Sequence, residues 1–185
     1  ISIPATKGLE KAKPVLVQGH VDMVCEKNAA TKHDFEKDPI KMKIEGDWVT
    51  AEGTTLGADN GIAVATMLAV MEDRGLEHGP LELLFTVDEE TGLTGASNLQ
   101  SDFLASRTLI NLDSEEEGTV TVGCAGGADT EIRLALDTIA APSNCTTLEL
   151  RLKGLKGGHS GIDIHLQRGN AVQLLGRMIH GISHG

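Results

Sequence analysis

One histidine and several carboxylates stand at spaced points along the chain: His20-Val21-Asp22, Asp59 within Gly57-Ala58-Asp59-Asn60-Gly61, the run Asp88-Glu89-Glu90, and Asp113 after Asn111-Leu112. Imidazole nitrogen and carboxylate oxygen are the ligand types of divalent metal sites. His20 and Asp22 share a face of an extended strand end, because residues i and i+2 point the same way. Asp22 is therefore a candidate to hold the second ring nitrogen of a ligating His20. Asp59 has glycines on both sides, which permit close approach of a cation or of backbone, and a carboxylate there can bridge two ions. Adjacent carboxylates repel unless a cation or solvent relieves them. With a metal present they can divide the labour, Glu90 as ligand and Glu89 as proton acceptor from an activated water. Taken together, the set predicts a two-metal hydrolase. Taken singly, each has a plainer role: Asp59 or Asn60 as a helix cap, and the Asp88–Glu90 and Asp113 clusters as solvated loops.

These groups need a scaffold that brings them to one edge. Pro14–Gly19, Leu81–Val87 and Thr108–Leu112 read as buried-type strands, each ending at one of the clusters. Between them lie a helix from Asp59 or Asn60 to about Arg74, stopped by Gly75, and a short helix over Gly95–Leu104. Strand–helix alternation predicts a largely parallel α/β sheet whose carboxyl edge carries the site. Residues 26–46 form a polar excursion with a hairpin of Ile40–Ile44 and Trp48–Ala51. Beyond it the pattern changes. Thr119–Gly123, Thr130–Leu136 and Thr147–Leu155 suit a half-exposed antiparallel sheet, and Asn170–Ile182 is an amphipathic helix. The expected domains are residues 1–122 and 123–185. Gly157-Gly158-His159-Ser160-Gly161 is a glycine-framed turn, an unusual setting for a core histidine. It does not match the Gly-x-Ser-x-Gly nucleophile elbow, and Gly53–Gly61 lacks the Gly-Lys-Ser/Thr of a phosphate loop. His33, His78, His165, His180 and His184 read as surface or packing residues, and Glu115, Glu116 and Glu117 as solvated.

A net charge of −11 argues against nucleic acid or anionic membrane as partner. With three Phe, one Trp and no Tyr, aromatic stacking platforms are scarce. Most of the acidity suits a solvated surface. Cys25, Cys124 and Cys145 form no C-x-x-C pair, which fits a reducing, cytoplasmic setting, and no apolar run is long enough to span a bilayer. The chain starts at Ile1 and ends in or just after a helical pattern, so an internal fragment is expected.

The stretches Gln18–Val24, Gly53–Gly61, Thr86–Gly92 and Asn111–Glu116 resemble the dinuclear-zinc aminoacylase/dipeptidase superfamily. Within it they look most like the aminoacyl-histidine dipeptidases, a match strengthened by Val122–Gly127 and Gly154–Gly161. The resemblance implies a zinc-peptidase-like, largely parallel sheet with helices, followed by part of an α+β lid domain with antiparallel strands. It implies two zinc ions per complete site, with cobalt or manganese as possible substitutes. His20 and Asp113 would bind one zinc, Asp59 would bridge both, and Glu90 would bind the second. Glu89 would be the general base, Asp22 would orient His20, and His159 would stabilise the oxyanion from the lid, which in this family often forms a homodimer. A last histidine ligand of the second zinc, carried by the returning half of the catalytic domain, has no counterpart here. The implied activity is hydrolysis of unblocked dipeptides, preferably Xaa-His. Tripeptide aminopeptidase, N-acyl amino acid deacylase and a catalytically incomplete metal-binding fragment stay open beside it.

Overall fold

The computed structural model describes residues 1–185 except 115, 125, 129, 160, 162 and 185, and leaves the side chain of His184 undescribed. The expectations for Glu115, Ser160 and the His184 side chain lie outside the described residues. The chain divides into two compact units, Ile1–Cys124 and Ala125–Gly185.

In the first unit the elements run β1 (Ser2–Ile3), β2 (Val15–His20), β3 (Met42–Glu45), β4 (Trp48–Ala51), α1 (Ala58–Glu72), β5 (Leu81–Thr86), α2 (Glu89–Gly92), α3 (Thr94–Ser97) and β6 (Thr108–Asn111). Four strands form one sheet in the order β1-β5-β2-β6. The Val-Leu-Val run of β2 is flanked on both sides, pairing parallel to β5 and to β6. His20 lies opposite Thr86, and Gln18 opposite Asn111. Because the three strands are parallel and in this register, their carboxyl ends, with the clusters that follow them, emerge at one edge. That is the placement the strand–helix alternation predicts.

β1 has no sequence counterpart, since two residues carry no periodicity. It pairs antiparallel to β5, and the terminal ammonium of Ile1 donates to the Leu83 carbonyl at 2.9 Å. The hairpin β3–β4 pairs Glu45 with Trp48 across Gly46–Asp47, a two-residue connection in which Gly46 takes φ 62°, a conformation glycine adopts at little cost.

The core of this unit contains Leu16, Ala63, Met67 and Leu83, all buried, where α1 packs on β2. Gly19 makes that approach possible. A Cβ there would sit 2.5 Å from the Ala63 Cβ and 2.5 Å from Asn60 Oδ1.

Two local expectations are corrected. The side chains of Asp59 and Asn60 do not cap α1: both residues are non-helical and kink its first turn, which opens at Gly57, left-handed at φ 81°, and their polar atoms bond His20, Leu112 and Asp113 instead. Of the helix expected over Gly95–Leu104 only one turn forms, α3 (Thr94–Ser97), which stops at Asn98, whose side-chain amide donates to the Thr94 carbonyl at 2.8 Å. Leu93, left-handed at φ 57°, separates α3 from α2, since a run of helical hydrogen bonds cannot pass through that conformation.

In the second unit a 3-10 turn, Ile164–Leu166, precedes α4 (Ala171–His184). The alternating run over 119–123, at the end of the first unit, and those over 130–136 and 147–155 in the second carry no strand pairing among the described residues. Their apolar positions are solvent-facing, among them Val122, Ile132 and Leu148. A strand is completed by a neighbour that takes its N–H and C=O groups, so period-two patterning alone does not make one. Among the described residues, antiparallel pairing is that of β3 with β4, of β1 with β5 and of the isolated bridge between Lys27 and Thr54. No helix among the described residues is long and apolar enough to cross a membrane.

Candidate metal centre

His20 closes β2 with 1 % of its side chain exposed. Its Nδ1 lies 3.0 Å from the Asp22 carbonyl oxygen, an acceptor only, so Nδ1 carries the proton. The Nε2 side of the neutral ring is then a bare lone pair. It points at carboxylates: Asp59 Oδ1 at 3.1 Å, Asp113 Oδ2 at 3.8 Å and Glu89 Oε2 at 4.0 Å. A lone pair facing three anions is repulsive, and the cluster holds together only around a positive charge, either a proton on Nε2 or a metal ion. Ligand atoms of His20, Asp59 and Asp113 lie within 4.8 Å of one another, as do those of His20, Glu89 and Glu90. One imidazole and several carboxylates converging at this distance fit zinc or a similar divalent cation.

The pKa directions express the same crowding. Burial pulls His20 down, but the Asp59 hydrogen bond and the Asp113 and Asp22 carboxylates outweigh it, and the net direction is up. Burial, and then the charge of Asp59, raise both Asp113 and Glu90. For Asp113 the linkage sign follows. A carboxyl whose folded pKa exceeds its unfolded value contributes nothing while protonated in both states, and destabilises the fold increasingly as pH rises above the unfolded value, fully once it passes the folded one. In metal-free protein, Asp113→Asn is therefore expected to melt about 1–2 °C above wild type near about pH 7, the effect being small because solvent screens an exposed group. The difference should vanish below the ordinary aspartate value of about 3.9. Thermal melts across this range in chelator check it, and a variant less stable than wild type at neutral pH would contradict the sign.

Asp22 holds two parts of the site. Its carbonyl takes the His20 Nδ1–H, its Oδ1 stands 3.4 Å from the same nitrogen, and its Oδ2 accepts the Glu90 N–H at 3.1 Å. Burial raises its pKa, but the Glu90 and Glu89 amides outweigh that and the net direction is down. The orientation of His20 thus comes chiefly from the Asp22 backbone carbonyl, with the carboxylate spanning to the Glu89–Glu90 turn. Asp88, left-handed at φ 59°, accepts hydrogen bonds from the Thr91 and Thr94 hydroxyls. These bonds lower its pKa and close the turn that presents Glu89 and Glu90.

Below the carboxylates runs a polar ribbon the sequence reading missed. Gln18 Nε2 donates to Thr86 Oγ1 at 3.0 Å, Asn111 Nδ2 to Gln18 Oε1 at 2.5 Å, and the Asp113 N–H to Asn111 Oδ1 at 3.0 Å. A polar residue two before each ligand, Gln18 before His20 and Asn111 before Asp113, was the available signal.

His159 belongs to the second unit. There the Gly161 N–H donates to its Nδ1 at 3.0 Å, and its own N–H donates to Asp163 Oδ2 at 3.1 Å. Arg168 Nη1 braces that carboxylate at 2.9 Å. An Nδ1 that accepts leaves the proton of the neutral ring on Nε2. Of the histidines read as surface or packing residues, His33 packs edge-on against Phe35, His78 Nδ1 donates to the Gly79 carbonyl at 2.7 Å, and His165 and His180 are exposed.

Residues 16–171 match the sequence pattern described as peptidase family M20/M25/M40. Over 178 residues the chain is 56% identical to the cytosol non-specific dipeptidase of Escherichia coli strain K12, covering 96% of this chain and 37% of that protein. Its fold matches the crystal structure of aminoacylhistidine dipeptidase from Vibrio alginolyticus with a TM-score of 0.67 and 46% identity, over 96% of this chain and 36% of that one. It also matches aminopeptidase PepT from Bacillus cereus with a TM-score of 0.50 and 28% identity, over 62% and 29%. The chain thus spans 29% to 37% of the length of these relatives.

Proposed function

The chain belongs to peptidase family M20/M25/M40, and from that membership we propose that the whole protein is a zinc-dependent dipeptidase acting on unblocked dipeptides, preferably Xaa-His. The observation that carries the reading is His20 Nε2, unprotonated in the neutral ring and facing the Asp59, Asp113 and Glu89 carboxylates. His20 and Asp113 would hold one ion, Glu90 would hold a second, and Asp59 would lie between the two, with cobalt or manganese able to replace zinc. When bound, such ions polarise a scissile carbonyl and acidify water.

Glu89 takes the proton from the attacking water as its oxygen bonds to the peptide carbon, and returns that proton to the amine nitrogen as the C–N bond breaks. Asp22 keeps His20 in the tautomer that leaves Nε2 for the ion. His159, with its proton on Nε2, is the donor for the carbonyl oxygen as negative charge develops there. In this reading residues 1–122 are the first part of the catalytic domain and 123–185 part of a lid that also dimerises. The substrate is a small peptide and the setting cytoplasmic, as in the name of the Escherichia coli relative.

The likeness to PepT supports a second reading, aminopeptidase action on longer peptides. The two separate by measuring histidine release from glycyl-histidine and β-alanyl-histidine beside hydrolysis of tripeptides, with the zinc-loaded whole protein. The expected result is a kcat/KM at least about tenfold higher for the dipeptides, a modest difference in transition-state binding of about 1.4 kcal/mol. Preference for tripeptides would select the second reading, and no hydrolysis by protein with a full metal complement would sink both.

A further inference from the structure

β2 and β6 pair in register up to Gln18 opposite Asn111, and the Leu112 N–H continues the ladder by donating to the Gln18 carbonyl at 3.1 Å. In a parallel ladder the next rung would join the His20 N–H to the Leu112 carbonyl. That rung is not made. The His20 N–H donates instead to Asn60 Oδ1 at 3.2 Å, and Asn60 Nδ2 donates to the Leu112 carbonyl at 3.2 Å. A side-chain amide stands where strand would meet strand. Because the His20 N–H can only donate and the Leu112 carbonyl can only accept, the two ends of the amide are assigned without ambiguity. The second N–H of the amide goes to Asp113 Oδ1 at 3.2 Å, so both its donors are used. Asn60 is 2 % exposed, and the missing side chain of Gly19 leaves room for its Oδ1.

We propose that Asn60 is a positioning residue: its amide wedges the β2–β6 ladder open by one rung, sets the gap between His20 and Asp113, and turns the Asp113 carboxylate so that Oδ2 faces His20 Nε2. The inference rests on reading the cluster as a divalent-metal centre. Without the amide, the His20 N–H and the Leu112 carbonyl can bond directly. The two backbone groups then stay satisfied, although three bonds of the amide give way to one ladder bond, while the two ligands lose their spacing.

The test uses the whole protein and cobalt(II), read by titration and by the visible d–d spectrum. Asn60→Ala is expected to bind cobalt about ten- to a hundredfold more weakly, the usual cost of losing an outer partner of a ligand, with an altered spectrum. Its metal-free thermal midpoint should stay near that of wild type, which a merely structural residue would not allow. Should Asn60→Ala fail to fold, Asn60→Asp keeps the size and the acceptor for the His20 N–H but has no donor for Leu112 or Asp113, and the same loss is expected. A folded variant with wild-type cobalt affinity and spectrum would overturn the role of Asn60 alone. Absence of cobalt binding by wild type would overturn the metal-centre reading and this inference with it.

Discussion

Glu89→Gln is expected to lower kcat for dipeptide hydrolysis by about 10²–10⁴, the range general-base catalysis supplies, while leaving the bound metal unchanged. Glutamine has nearly the volume and the hydrogen-bonding reach of glutamate but cannot take up a proton. Glu89 is suited to that duty because its Oε2 lies 4.0 Å from His20 Nε2 with 32 % of the side chain exposed. It is close enough to serve the centre and open enough to meet water. Its backbone is fixed from both sides, by Asp22 through the amide of Glu90 and by Asp88 through Thr91 and Thr94. The measurement is histidine release at saturating substrate, with metal content determined on the same sample. A variant that keeps its metal and turns over within about threefold of wild type would remove Glu89 from the proton path, since threefold is far below what a lost general base costs.

His20→Ala carries the other large effect. The side chain is buried and belongs to both groups of converging ligand atoms, so its loss should weaken divalent-metal binding by at least about a hundredfold and take activity to background. The metal-free protein should suffer as well. Imidazolium is the cation among Asp59, Glu89 and Asp113, and removing the buried partner of hydrogen-bonded carboxylates costs about 1–3 kcal/mol. That loss should appear below the raised pKa of His20, where wild type carries the charge, and shrink as pH climbs through it. Zinc or cobalt titration, with melts of the metal-free proteins at two pH values, gives both quantities. Undiminished metal affinity in His20→Ala would remove it from the ligand set.

His20, Glu89, Glu90 and Asp113 were legible because parallel strands make the argument local. Once β2, β5 and β6 are recognised by their apolar runs, the residues just past each must share an edge. Asp59 was legible through the glycines that flank it. Asn60 was not, since an asparagine ahead of an apolar helix carries the signature of a cap, and a cap and a ladder wedge demand the same amide at the same place. The failed helix over 95–104 has a different cause. Only Thr94–Ser97 turns as a helix, and at Asn98 a side-chain amide competes for the Thr94 carbonyl, a local bond that helix propensity does not register. In the second unit the alternation was visible, but pairing depends on a neighbour that alternation does not specify.

The central position of β2 sets the order in which the centre can come into being. Gln18 meets Thr86 across 68 residues of chain and Asn111 across 93, whereas β3 and β4 meet across a two-residue turn. Closing the two long loops costs chain entropy before any ladder bond repays it. His20 reaches Asp113 only after β6 has docked, so a cation has no assembled ligand set to grip in the nascent chain. A cation bound there would secure a sheet already formed, and its influence would fall on how slowly that sheet comes apart rather than on how fast it is made.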